Sequence, residues 1–106
     1  MNDTDEKMND AVKVAPHLHV VLFENDKVRV LQVKVKPGEQ AAMHWHPENI
    51  TYVQSTGRLR FTKPDGSTAD AELGEGLVRH GDAGSHAVKN VGEQRFEAIQ
   101  VELKEQ

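Results

Sequence analysis

Apolar residues in this chain fall in short, β-branched runs separated by turn residues, a pattern that predicts a series of strands. The first run, 19–23, is closed by Asn25-Asp26, a pair suited to a tight hairpin. In the second, 28–35, the apolar positions go 28, 30, then 33, 35, so the alternation changes phase near Leu31-Gln32. Such a change predicts either a bulge or a strand packed on both faces. Further runs are 41–46, 50–53, 59–62, 69–73, 77–78, 87–88 and 96–103, and the last carries apolar residues at both parities before a solvated end from Glu102 onward. Pro37-Gly38 fits the centre of a type II turn, and Lys63-Pro64-Asp65-Gly66 fits a hairpin turn. Between Pro16 and Leu103 no window holds a clean helical period. The expectation is an all-β domain of roughly nine or ten short strands, closed into a small β-barrel or double-stranded jelly roll that removes sheet edges.

The chain has 106 residues, which allows one domain. Residues 1–15 are acidic and lack an apolar period, so they are expected to form a mobile tail, with the barrel domain spanning 16–106. Of the formal charge of -4, most belongs to the first ten residues, and the nearly neutral remainder has no Lys/Arg cluster. Nucleic acid and anionic lipid are therefore not expected as partners. With no cysteine, a disulfide framework, a thiolate metal site and a cysteine nucleophile are excluded. The amino-terminal stretch reads as neither a signal peptide nor a membrane span, and a cytoplasmic location is the default expectation.

Histidine is the unusual component, with six residues at 17, 19, 44, 46, 80 and 86. In Met43-His44-Trp45-His46-Pro47 two imidazoles lie two residues apart. On a strand such positions point the same way about 6.6 Å apart, so both rings can converge on one ion at about 2.0–2.1 Å. Pro47 favours the strand, because the residue before a proline is pushed toward β conformation. Ala42 would share the histidine face and leave space there. By itself the pair also fits an exposed strand face.

The surrounding frame resembles the cupin superfamily. Gly38, five residues, His44-x-His46 and then Gly57 follow its first motif, and Gly76, His86 and Asn90 follow its second. The resemblance covers about residues 17–104 and implies a β-barrel holding a metal through His44, His46 and His86. Two departures stand out: Ile50 occupies the place of the family's glutamate ligand, and Asp82 replaces the motif proline, with Gly84 one residue nearer the histidine. Three neutral imidazoles would leave a divalent ion its full charge and favour a small, anionic, chelating substrate. Iron(II) is the expected cofactor, with zinc, nickel, manganese or copper also acceptable to imidazole.

Candidate substrate-lining residues are Tyr52, which shares parity with Ile50, Gln40, which shares parity with His44, and Arg60, which could pair an anion. Glu48 has the wrong spacing for a ligand, and His80 is either a turn residue or a support for the site. His17-x-His19 lacks a flanking frame and is assigned to surface or dimer packing. The expected function is a mononuclear non-haem metal dioxygenase-type oxidoreductase, working as a homodimer. The alternatives are a non-catalytic metal- or ligand-binding module, a metal-dependent isomerase of a sugar-like substrate, and a site that holds no metal.

Overall fold

A computed structural model describes residues 8–104 of the chain. A four-residue helix α1 (Ala11–Val14) precedes nine strands: β1 (His19–Glu24), β2 (Val28–Val35), β3 (Gln40–His46), β4 (Asn49–Ser55), β5 (Gly57–Thr62), β6 (Thr68–Leu73), β7 (Val78–Gly81), β8 (Gly84–Asn90) and β9 (Phe96–Leu103). They form a five-stranded sheet in the order β1-β2-β9-β4-β7 and a four-stranded sheet in the order β3-β8-β5-β6, with antiparallel pairing throughout. The architecture is a jelly roll. The closed barrel expected from sequence is not formed, because among the described residues no strand ladder joins the two sheets. Side chains from both inner faces close the space between them instead.

Local chemistry sets the turns. Gly38 has φ 81°, and Glu39 N–H donates to Lys36 O at 2.9 Å, as a type II turn requires. Gly66 has φ 88°, and its N–H donates to Lys63 O at 2.9 Å. Between β1 and β2 the Asn25 side chain accepts from Lys27 N and Val28 N, satisfying the hairpin's backbone donors. β2 is continuous against β9, and the register shift lies on its other side, in β1 between Val21 and Phe23. The phase change in β2 therefore reflects a strand with apolar residues on both faces: Leu31 and Val35 are buried inward, and Val28 and Val30 are half-buried on the outside.

The core comprises Ala15, Leu18, Val35, Ala41, Val53, Leu59, Leu73, Val88, Phe96 and Ala98. It draws on both sheets. Gly57 is needed where it stands, since a Cβ there would meet Phe96 Cβ and Cδ1 at 2.8 Å.

The acidic segment expected to be mobile to residue 15 is part of the fold where it is described. Asp10 bridges to Trp45, its carboxylate caps α1 through Val12 N at 3.1 Å, and Ala11 and Ala15 are fully buried. The ordered domain thus begins before Pro16, and residues 1–7 lie outside the described residues. Glu102, expected at a solvated strand end, is 1% exposed, because its parity on β9 continues the inward series Phe96, Ala98, Gln100. No described helix is long and apolar enough to cross a membrane.

Candidate metal centre

Strand register builds the site. His44 on β3 is the cross-strand partner of His86 on β8, and their rings meet edge to face with centroids 4.8 Å apart. His46, two residues along the same inward face, lies 4.9 Å from His44 and 5.3 Å from His86. The opposite sheet contributes His19 from the start of β1, with its ring 5.2 Å from His44 and 5.3 Å from His46. One nitrogen each of His19, His44 and His46 lie within 4.8 Å of one another. Nitrogens bound to a common ion at about 2.1 Å are separated by roughly 3–4 Å, somewhat closer than the 4.8 Å limit within which these three lie. The His86 ring packs against His44 and His46, but its nitrogens fall outside this group, so the expected triad of His44, His46 and His86 gives way to one with His19 in the place of His86.

The assignment of His19 to surface or dimer packing is corrected by its burial, at 4% exposure. Leu18 and Ala15 fold the chain back so that His19 Nδ1 meets Ala15 O at 3.0 Å. His44 Nδ1 similarly meets Ala42 O at 2.7 Å, and His46 Nδ1 meets Glu102 Oε2 at 2.6 Å. A carbonyl oxygen only accepts, so the first two rings carry their proton on Nδ1 and keep a lone pair on Nε2. The Nε2 of His44 is buried without a hydrogen-bond partner, which is the single such side-chain atom among the described residues.

Burial is the largest cause of the lowered proton affinity of all four rings. It pushes His19 down to about 4 and His46 and His86 to about 3, and lowers His44 as well. The cluster is thus uncharged at neutral pH, the form in which imidazole binds metals. Behind His46, burial raises the Glu102 carboxyl while Arg29 pulls it down.

The four histidines line a cavity of about 450 Å³. Its walls are mostly apolar, including Leu59, Phe61, Ala71, Leu73 and Phe96, and Asn49, Thr51 and Gln100 form a polar strip, with Gln100 donating to Asn49 at 3.1 Å. Two cations, Lys63 and Arg79, also line it. The Arg79 guanidinium lies 5.7 Å over the Phe61 ring, which packs 5.3 Å from His86.

None of the three expected lining residues lies in this cavity. Tyr52 is 47% exposed on the outer face, because the inward positions of β4 are Asn49, Thr51 and Val53. Ile50 is turned out with it, so the inward neighbour of the expected ligand position is Thr51. Arg60 is exposed and held in a two-point pair with Asp70. Gln40 is exposed because the register shift between Ala41 and His44 breaks the parity it was expected to share, and the same shift exposes Ala42. His80 and Glu48 pair with each other at the surface at 2.7 Å, and His17 is exposed with its Nε2 3.4 Å from Gln40 O. Arg79, Lys63 and Glu102 were not singled out from sequence; only the inward parity of Glu102 on β9 could have marked one of them.

No family model matches the chain, and no curated protein matches it in sequence. Solved structures do. A cupin domain from Bordetella pertussis Tohama I superposes with a TM-score of 0.76 at 24% identity, over 83% of this chain and 93% of that one. An RmlC-like cupin with a double-stranded β-helix fold from Methanocaldococcus jannaschii gives 0.65 at 16% identity, over 82% and 79%. A predicted oxalate decarboxylase from Thermotoga maritima gives 0.61 at 23% identity, over 82% and 79%. The chain therefore has the double-stranded β-helix fold of these cupin-domain structures, and it carries a histidine cluster that could hold a divalent metal.

Proposed function

We propose that this protein is a metal-dependent cupin enzyme, a dioxygenase-type oxidoreductase acting on a small anionic chelating substrate, with iron(II) as its metal. The observation that carries the reading is the buried, unpartnered Nε2 of His44, facing three further uncharged imidazoles. An unmet buried acceptor is costly unless something occupies it. Histidine nitrogens alone, with no directly ligating carboxylate, suit iron(II), zinc, nickel, manganese or copper rather than calcium or magnesium. When bound, iron(II) would supply the redox chemistry that oxidative cleavage with dioxygen requires.

The chain's own residues prepare the substrate. Arg79, seated over Phe61, and Lys63 attract an anion toward the histidines. The walls around Phe61, Leu59 and Phe96 exclude water, and Thr51, Asn49 and Gln100 offer hydrogen bonds that orient the bound molecule. The Thermotoga neighbour is a predicted oxalate decarboxylase, and oxalate is a small chelating dianion of the proposed substrate class. The test is oxygen uptake by iron(II)-loaded protein over a panel of diketones, thiols and hydroxy acids. Uptake that disappears in His44→Ala supports the reading. Turnover that persists without oxygen points to the isomerase, and no turnover with any compound points to a binding module.

We also propose that the protein works as a homodimer through the outer face of the five-stranded sheet. Cross-strand partners run Phe23, Val30, Val101, Ile50 across four strands, with Tyr52 and Val78 beside them, and Phe23, Tyr52 and Val78 are about half exposed. A continuous apolar face of this kind is rare on a monomer. Paired charges of both signs, Lys34 with Glu97 and Lys104 with Glu24, flank it and make it compatible with a second copy of itself.

A further inference from the structure

We propose that Glu102, clamped by Arg29 and Asp10, is a positioning residue of the metal centre: it holds His46 with its Nε2 lone pair toward the cavity and supplies, from behind the ring, the negative charge that no ligand carboxylate provides. The inference rests on the metal-binding reading of the histidine cluster.

Glu102 is among the most buried side chains of the protein, at 1% exposure. Both its oxygens are used. Oε2 lies 2.6 Å from His46 Nδ1, and Oε1 accepts from Arg29 Nε at 2.6 Å. The Arg29 guanidinium in turn donates to both oxygens of Asp10, at 2.8 and 3.1 Å. Asp10 is fixed at the start of α1 by its contact with Val12 N and its bridge to Trp45, the residue beside His46. The relay thus ties the amino-terminal segment, β2, β9 and β3 to one imidazole.

The charge count separates this arrangement from an ordinary ion pair. A glutamate paired with one arginine is neutral, whereas two carboxylates on one guanidinium leave one net negative charge, half-buried or deeper, beside the histidine cluster. Burying an uncompensated charge is unfavourable. A cation among the rings would offset it. His19 and His44 rest against neutral carbonyls, so His46 is the ring of these three that is given a charged partner, which raises its basicity as a ligand. The family's ligand glutamate is replaced by the outward-facing Ile50, and Glu102 restores its charge one hydrogen bond further from the ion.

Two measurements test this on the full chain. In metal-free protein, long-range proton–nitrogen correlation of the imidazoles is expected to show His46 protonated at Nδ1; protonation at Nε2 overturns the positioning role. Zinc titration against a competing chelator is expected to show affinity 10–100-fold weaker in Glu102→Gln, which keeps an acceptor for Nδ1 but removes the charge. Asp10→Asn, which touches no imidazole, is expected to weaken zinc several-fold, and it carries the test if Glu102→Gln does not fold. Affinities within twofold of wild type in the folded variants overturn the charge role. Failure of the wild-type protein to bind zinc, iron(II) or manganese overturns the metal reading and the charge role together, while the tautomer still decides the positioning role.

Discussion

His44 and His86 stand 42 residues apart in sequence and directly opposite each other across β3 and β8, with ring centroids 4.8 Å apart. The pair anchors the side of the histidine cluster built on the four-stranded sheet, and His19 reaches it from the other sheet. Replacing His19, His44 or His46 singly by Ala is expected to weaken metal binding by more than about 100-fold, above the loss that follows removal of a supporting partner. His80→Ala and His17→Ala, both exposed, are expected to leave it unchanged. Metal content after purification, with chelator competition, provides the comparison. Full retention in His19→Ala would restrict the site to the four-stranded sheet.

Arg79 is expected to select for charge. Arg79→Leu should raise KM for an anionic substrate about tenfold with little change in kcat, because the guanidinium lines the cavity over Phe61 and is not one of the clustered imidazoles. Arg60→Ala should do nothing to either constant, since Arg60 is exposed and committed to Asp70. Steady-state kinetics of the two variants distinguish these outcomes.

Acid should destabilise the metal-free protein. The four cavity histidines have lowered proton affinity in the fold, so below their unfolded value near 6.5 the unfolded chain binds more protons than the native one. Their contribution is complete well above pH 6.5, declines progressively below it, and is fully lost once pH has fallen through about 4 to 3. Asp10, lowered by Arg29 against burial, adds to the loss at the acid end, and Glu102, raised by burial, opposes it. Urea unfolding between pH 8 and 4 is expected to show a decline of a few kcal/mol. A flat profile would contradict the burial of the rings.

Gly57→Ala is expected to destabilise the fold by about 1–3 kcal/mol, because the added methyl would overlap Phe96 at 2.8 Å in the core. Gly74→Ala, with nothing within 4 Å, serves as the control and should change stability little. Chemical denaturation measures both.

In solution the protein is expected to have the mass of two chains. Val78→Lys, which places a charge on the outer face of β7, should convert it to a monomer without altering metal content. Light scattering at micromolar concentration checks this, and a single-chain mass for the unaltered protein would remove the dimer.

Alternation and turn chemistry are local, so they placed all the strands to within a few residues. β2 and β9 match their expected limits, 28–35 and 96–103, because apolar residues on both faces bound them sharply. The spacing of Gly38, His44, His46, Gly57, Gly76, His86 and Asn90 was likewise enough to indicate the cupin fold and three of the clustered rings.

Which parity of a strand faces inward is a tertiary matter where both faces are apolar. On β4, Ile50 and Tyr52 compete with Val53, and the packing of Val53 in the core decides that Asn49 and Thr51 face the cavity. The register shift in β3 moves Gln40 off the His44 face in the same way. His19 and Glu102 depend most on the assembled fold. Neither has a local signal, since a histidine at a strand start and a glutamate near a strand end are ordinarily solvated. Each is buried because another strand supplies its partner, the cluster of His44 and His46 for one and the Arg29–Asp10 pair for the other. The sequence by itself determined the strands, the turns and the motif that names the fold. Only the tertiary structure decided the face each strand turns to the cavity and the charge held behind the histidines, because burial and pairing belong to residues far apart in the chain.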